Sequence, residues 1–518
     1  MKKIFTPVSV GKATALVTIT AFLSYLIGLF RDRIIAVNFG TTNLTDTYNA
    51  SFLIPDFLFN LLIAGALSSA FLPVFTEYIT KSKEEAYKIA NTIMTAGTMV
   101  IAFLSLLAFI FMKPIVEFSF PSIDPASQIN IINMTRMMLP SAIIFTISNS
   151  LGNILMSYKH FTSYSLSPVL YNLGIIIGVV FFNDSLGIYS APLGVLVGGI
   201  FHALIRLIDI NDIEYKFKFE IDLYHPGIKK IIKLMIPRTI GLITWQINLY
   251  IFAVVGMNMI SGGLAAFNFA RNIQSFAVSL FGIAFATAVF PYLSSAISSD
   301  DKKSYTTHIQ STIQRILFFT IPAAIGVMLL SSPIVSLILS GGIFKENSIN
   351  LTSLILFFFA ISIPFESLTH ILQRSFYAMQ NTKTPMIISV VTMFIIGFCT
   401  LIIAPRFGIQ WFSIGFTAGM ALQVLLLVIF LRKHLSGFKI TEFLSSLSKI
   451  VLASGIMGIA IIFSSDLSEI LNPRITALIQ IIWGGSIFLF AAYMLKSPEI
   501  SSVKTLIRQI MKKKVSID

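Results

Sequence analysis

Runs of about twenty apolar residues separated by short polar breaks recur along the whole 518-residue chain. Twenty residues of α-helix is the length that crosses a hydrocarbon layer roughly 30 Å thick. The pattern predicts about fourteen membrane-spanning helices, near 10–38, 45–79, 88–112, 129–157, 162–182, 188–210, 228–257, 263–297, 309–333, 351–379, 385–404, 409–432, 446–464 and 475–495. No stretch is left over for a soluble domain of ordinary size. The first run is too long for a cleaved signal and lacks a small-residue cleavage site, so it reads as a retained helix.

Proline landmarks divide this series. Pro73 in Ala-Phe-Leu-Pro-Val-Phe and Pro291 in Ala-Val-Phe-Pro-Tyr-Leu each close a span and precede a short charged loop. Pro168 and Pro385 each follow a polar loop, and the two pairs share the same offset to within one residue. The repeat predicts two six-helix lobes in the same orientation around a central cavity, with two further helices appended. The expected divisions are an N-terminal lobe over 1–211, a connector over 212–227, a C-terminal lobe over 228–434, two additional helices over 435–497 and a tail over 498–518. From Ile213 to Leu223 apolar and polar residues alternate, as suits an extended strip with one greasy face lying along the membrane surface. In the tail, Ile500, Val503, Leu506, Ile507, Ile510 and Met511 share one helical face while Lys504, Arg508 and Lys512 lie off it, the pattern of a helix resting on the inner leaflet.

The basic residues orient the chain. With both termini in the cytoplasm, 28 of the 37 lysines and arginines fall at cytoplasmic ends or loops; Lys113, Lys345, Arg406 and Arg474 fall outside, and five lie within spans. The net charge of +14 therefore reflects an anionic inner leaflet, and no nucleic-acid-reading motif accompanies it. The one cysteine, Cys399, lies in an apolar run, which leaves disulfides and zinc without ligands. No metal site, nucleotide-binding glycine loop or catalytic triad is present, so no cofactor is expected and ATP is not this chain's energy source.

Five arginines inside spans change the picture most: Arg31, Arg33, Arg136, Arg238 and Arg271. A guanidinium stays charged, and placing one at the membrane centre costs about 2.5–3.5 kcal/mol even on mild scales, so these side chains are expected to face a watery interior. That predicts a path for an anion. Arg31, Arg238 and Arg271 are the candidates for binding it; Arg33 and Arg136 read more simply as paired or interfacial. Asp32 and Asp46 are expected to pair with an arginine or serve a gate. Asn60 and Asn272 offer polar contacts to a head group, although helix-to-helix hydrogen bonding is the commoner use of such residues in membranes. Glu366, beside Pro364, reads either as a coupling carboxylate or as one at a helix break near the interface.

The segments Ser24-Tyr-Leu-Ile-Gly-Leu-Phe-Arg-Asp-Arg33, Thr45-Asp46-Thr-Tyr-Asn, Ile54-Pro55-Asp56-Phe57 and Gly65-Ala-Leu-Ser-Ser-Ala-Phe-Leu-Pro73 resemble the MurJ (MviN) family of lipid II flippases, part of a wider superfamily of drug and polysaccharide exporters. Phe281 to Pro291, Ser331 to Gly342 and Arg374 to Pro385 extend the resemblance over most of the chain. It implies a carrier for lipid II, with Arg31, Asp32 and Asp46 at the positions of the family's own. Other positions depart: Tyr25, Phe59, Asn60 and Asn272 stand where the family has arginines, Arg271 sits beside the last, and Ser275 replaces a glutamate.

The expectation is an all-α polytopic protein of the bacterial cytoplasmic membrane, not an enzyme, that moves a lipid-linked anionic glycan to the outer leaflet by alternating access. Membrane lipid and the cell-wall synthesis machinery are its expected partners. Two other functions stay open: a flippase for another undecaprenyl-pyrophosphate-linked glycan, and a cation-coupled drug exporter, against which the cationic spans argue. A membrane-embedded glycosyltransferase would need a catalytic carboxylate and a large outer loop, and the sequence offers neither.

Overall fold

The computed structural model describes residues 10–60, 66–213, 215–464 and 473–500. Among them the chain is helical with no strand, and one isolated bridge joins Gly341 and Phe344. The helices are α1 (Val10–Phe39), α2 (Asn43–Ser51), α3 (Leu53–Phe59), α4 (Ala66–Lys81), α5 (Lys83–Ser119), α6 (Pro125–Ser157), α7 (Phe161–Leu186), α8 (Ser190–Ile210), α9 (Pro226–Met259), α10 (Gly263–Ala277), α11 (Ala284–Ser298), α12 (Lys302–Leu329), α13 (Ser331–Leu339), α14 (Glu346–Ala360), α15 (Ser362–Ala378), α16 (Lys383–Phe398), α17 (Ala404–Phe407), α18 (Gln410–Leu431), α19 (Ile440–Phe463) and α20 (Pro473–Met494).

Helix starts carry the expected chemistry. Ser82 accepts from the Glu85 N–H at the head of α5, Asp124 from Ser127 at the head of α6, and Asp301 from Ser304 at the head of α12, each satisfying a donor that the first turn leaves open. Many outward-facing side chains are apolar, with Phe103, Phe181, Phe394, Ile482 and Phe490 all more than half exposed, while Thr135, Ser148, Asn153, Ser163 and Thr320 are buried. An apolar exterior over a partly polar interior requires hydrocarbon as solvent.

Ten helical stretches among the described residues are long and apolar enough to span a membrane, or up to eleven when α14 and α15, bent by 47°, count as one pass. This is fewer than the expected fourteen, for identifiable reasons. The stretch Phe161–Ile210 counts once, although it holds two helices, α7 and α8, joined by the turn Gly187–Tyr189 and packed along each other. The expected span over 45–79 is not one helix: α2 ends at Ser51 and α3 begins at Leu53. Pro55 has no N–H to give the Ser51 carbonyl, which instead accepts from the Thr135 hydroxyl of α6 at 3.0 Å.

Two compact units result: Met1–Asn268 with Leu339–Ser348, and Phe269–Ile338 with Ile349–Asp518. In the first, α7 packs on α8 and α1, α6 on α5 and α8, and α4 on α9. Its core has two clusters, one around Phe71, Phe75, Ile89 and Leu155, the other around Met112, Phe120, Ile131 and Leu139. In the second unit α12 packs on α19 and α15, and α18 on α15 and α16, with Phe318 against Phe488. The proline landmarks fall in matching surroundings: Pro73 in α4 and Pro291 in α11, each ahead of a capped long helix, and Pro168 in α7 and Pro385 in α16. Left-handed residues, Lys159 and Gln380, precede α7 and α16 respectively.

The strip after α8 runs extended along α5. Tyr215 is buried and donates its hydroxyl to Asn91 Oδ1 at 2.7 Å, and the Lys218 and Asp222 N–H groups donate to Asn91 Oδ1 and Thr92 Oγ1. Phe217, Phe219, Ile221 and Leu223 stay exposed. At the head of α9, His225 Nδ1 accepts from the Gly227 N–H, while Nε2 lies 2.9 Å from Glu85 Oε2. Lys88 and His225 together hold the Glu85 carboxyl below its usual range. The basic tail expected to form an amphipathic helix lies almost wholly outside the described residues.

Candidate functional site: a polar cavity in the first unit

Helices α1, α3, α6, α7 and α8 of the first unit enclose a cavity of about 530 Å³. Aromatic and apolar side chains make most of its wall, with Ser24, Tyr25, Asp56, Asn149, His202 and Arg206 among its polar members. A largely apolar hollow with a few converging polar groups is the usual form of a small-molecule site.

Arg31, the first of the expected cationic residues, stands beside this cavity in a fixed setting. Its Nε and Nη2 donate to Asp32 Oδ1 at 3.0 and 2.7 Å, and its Nη1 donates to Asn172 Oδ1 at 2.9 Å. Asn172 on α7 turns its amide nitrogen toward Ser24, a cavity residue, so the Arg31–Asp32 pair is tied to the cavity wall through one side chain. The pair is an i,i+1 contact, and Asp32 is buried.

Asp46 departs from expectation. It makes no salt bridge to an arginine among the described residues. Its two oxygens accept from the backbone N–H groups of Gly262 and Ala265 at 2.6 and 2.7 Å. Its electrostatic partner is therefore the N-terminus of α10, where open N–H groups and the helix dipole favour a carboxylate. The charge pattern of the sequence contains no sign of this, because the partner is backbone.

Other expected residues are scattered. Asn60 donates back to the Asp56 carbonyl, so it closes its own helix end. Arg136 faces the wall of α5, with Nε on the Phe109 carbonyl at 3.0 Å and its guanidinium 5.0 Å over the Phe109 ring, and does not line the cavity. Arg33 is half-buried on α1. Arg238 lies on α9, and its side chain falls outside the described residues. Arg271, Asn272 and Glu366 belong to the second unit. There Gln274 donates to Glu366 Oε2 at 2.7 Å and to Ser362 Oγ at 2.9 Å, and Arg271 on the same helix is close enough to act on Glu366 by charge. No group of metal-ligating side chains occurs among the described residues.

Sequence reasoning missed Arg206. By charge count it belongs to the cytoplasmic ends, yet it is 2% exposed and lines the cavity. Nε donates to Ser167 Oγ at 2.9 Å, and Nη1 to the Ser148 carbonyl at 2.8 Å and Asn149 Oδ1 at 3.0 Å. The Tyr164 ring covers one face at 5.1 Å. The available signal was the order His202, Arg206, Asp209 at helical spacing within an apolar run, which places all three on one side of α8.

Long helices with an apolar outer surface and a buried cation on the wall of an internal cavity define a multi-pass membrane protein. An inward-facing multidrug transporter of the MATE family in the MOP superfamily shares the fold, with a TM-score of 0.66 over 85% of this chain and 97% of that one at 16% identity. The model of the family described as "Lipid II flippase MurJ" matches residues 35–477, and the chain belongs to that family. A structure titled lipid II flippase MurJ, inward closed conformation, superposes with a TM-score of 0.79 at 27% identity, covering 93% of this chain and 98% of the other. The lipid II flippase MurJ of Thermosipho africanus is 28% identical over 479 residues, 92% of this chain and 95% of its own. That of Burkholderia cenocepacia is 26% identical over 431 residues, 81% of this chain and 84% of its own.

Proposed function

We propose that this chain flips lipid II, the lipid-linked peptidoglycan precursor, from the inner to the outer leaflet of the bacterial cytoplasmic membrane by alternating access. The observation that carries the reading is a largely apolar cavity with a buried arginine on its wall, inside an apolar-surfaced bundle whose family match spans residues 35–477. A diphosphate-linked sugar cannot enter hydrocarbon unaided, and arginine's planar fork matches phosphate oxygens and stays charged when dehydrated. On this reading the chain is a carrier and not an enzyme. Both termini lie in the cytoplasm, and the cell-wall synthesis machinery is its working partner.

Arg31, Arg238 and Arg271 are assigned to the anion, Asn60 and Asn272 to polar head-group contacts, Asp32 and Asp46 to gating, and Glu366 to coupling. The hydrogen bonds from the Gly262 and Ala265 N–H groups to Asp46 support a gating role, since they link α2 to the head of α10 without a fixed ion pair. The division into lobes over 1–211 and 228–434, connector 212–227, paired helices 435–497 and tail 498–518 belongs to the same proposal. One observation favours a second reading, a flippase for a different undecaprenyl-linked glycan: Phe59 and Asn60 stand where paired arginines are expected.

The test is lipid II exposure at the outer leaflet of cells depleted of their own lipid II flippases and expressing this protein or its Arg31→Ala variant. Restored exposure that the variant loses is the expected result. Absence of restoration by folded, membrane-inserted protein would exclude lipid II as the substrate.

A further inference from the structure

We propose that Arg206 is an anion-binding residue of the first-unit cavity, holding the diphosphate of a lipid-linked substrate. This deepens the flippase reading and rests on it for the identity of the ligand.

The donor count is the first reason. A guanidinium carries five N–H groups, and here Nε uses one on Ser167 while Nη1 uses two on Ser148 and Asn149. Nη2 makes no hydrogen bond to any described residue, and the side chain lines the cavity. All three acceptors are neutral. The nearest acid on the same helix, Asp209, is committed elsewhere: Oδ1 lies 2.7 Å from His160 Nδ1, and Oδ2 accepts from the Ser163 hydroxyl. Asp56 lines the same cavity without forming a salt bridge to Arg206. A buried charge without a counter-charge is costly, and an arriving anion would offset that cost.

The second reason is that the surroundings are shaped to this side chain. A Cβ at Gly152 would lie 2.7 Å from Nη1 and 2.8 Å from Cζ of Arg206. Only a residue without a side chain leaves room for the guanidinium between α6 and α8. Tyr164 supports its face, and Asn149, also on the cavity wall, fixes the direction of the fork. Such preorganisation suits paired hydrogen bonds to phosphate oxygens. If Arg206 served only to rivet α6, α7 and α8, its loss would lower stability without changing which ligand binds.

The experiment uses the purified full-length protein and four probes: farnesyl diphosphate, farnesyl monophosphate, farnesol and inorganic pyrophosphate. Wild type is expected to prefer the diphosphate lipid. Arg206→Gln should weaken that lipid by about tenfold or more while leaving farnesol unchanged, with Arg206→Lys in between. Gly152→Ala, which keeps every charge but displaces the guanidinium, should weaken the diphosphate lipid in the same selective way. It also decides the matter should Arg206→Gln fail to fold. Arg136→Ala serves as the control.

Equal losses for all four probes, or none, would overturn the proposal. Pyrophosphate binding as tightly as farnesyl diphosphate would overturn the lipid assignment in favour of a free anion. In the depleted cells, wild type restoring lipid II exposure together with an equally active Arg206→Gln would sink this inference and leave the flippase reading intact. Failure of wild type there would sink the reading, while the binding series would still decide whether Arg206 holds a diphosphate.

Discussion

Asp46 is 1% exposed, forms no salt bridge among the described residues, and accepts two short hydrogen bonds from the start of α10. Removing it strands the buried N–H groups of Gly262 and Ala265, and hydrogen bonds to a charged group are worth about 1.5–3 kcal/mol each. Asp46→Ala is therefore expected to destabilise the folded protein by on the order of 3 kcal/mol, measured by denaturant or thermal unfolding in detergent, and Asp46→Asn by less. An unchanged midpoint for both would remove the capping account. The arginines show the limit of reading single residues. Arg31, Arg136 and Arg206 all occupy apolar runs, but one meets Asp32 and Asn172, one lies on the Phe109 carbonyl, and one lines a cavity. Residue type reveals that a charge must find a partner; which partner it finds depends on helices far away in sequence.

Between elements, α7 and α8 approach each other backbone to backbone. A Cβ on Gly174 would come within 2.2 Å of Gly198 Cα, and one on Gly178 within 2.4 Å of Gly194 Cα. Small residues at helix spacing let backbones touch, which is how helices gain packing energy where lipid supplies no hydrophobic drive. Gly178→Val should therefore prevent accumulation of monodisperse protein on size-exclusion chromatography. Gly485→Val on α20, where a Cβ meets nothing within 4 Å, should leave it unaffected. The same helices show how far element reading reached: both spans were evident from their length and hydropathy, whereas the glycine contact needed their relative rotation. The break between α2 and α3 was missed although Pro55 was visible, because a proline in a membrane helix is tolerated or not according to who takes the freed carbonyl. Here that partner is Thr135.

For the whole molecule, the telling feature is the return of residues Leu339–Ser348 to the first unit. The Ile343 N–H donates to the Val37 carbonyl at 2.9 Å, and the Thr41 hydroxyl to Ser348 Oγ at 2.7 Å. Gly342 has φ +51°, and a Cβ there would fall 2.2 Å from the Val37 oxygen, so the turn requires glycine both for its backbone angle and for the approach. Gly342→Val is expected to free this segment, seen as faster proteolysis within 339–348 and reduced lipid II export. Gly326→Val, in a helix and with open space around it, is the control. Proteolysis at the wild-type rate would show that the contact does not hold the two stretches together.

The sequence by itself determined the solvent, the approximate bounds of most spans, and the proline landmarks that recur at a common offset. These depend on run length and local periodicity, which any twenty-residue window contains. Tertiary structure alone decided the partners of the buried charges: backbone N–H groups for Asp46, a carbonyl for Arg136, and three neutral acceptors and a cavity for Arg206. Backbone groups occur at every residue and leave no mark in composition, and a helix reveals which side chains share a face but not which neighbour that face meets.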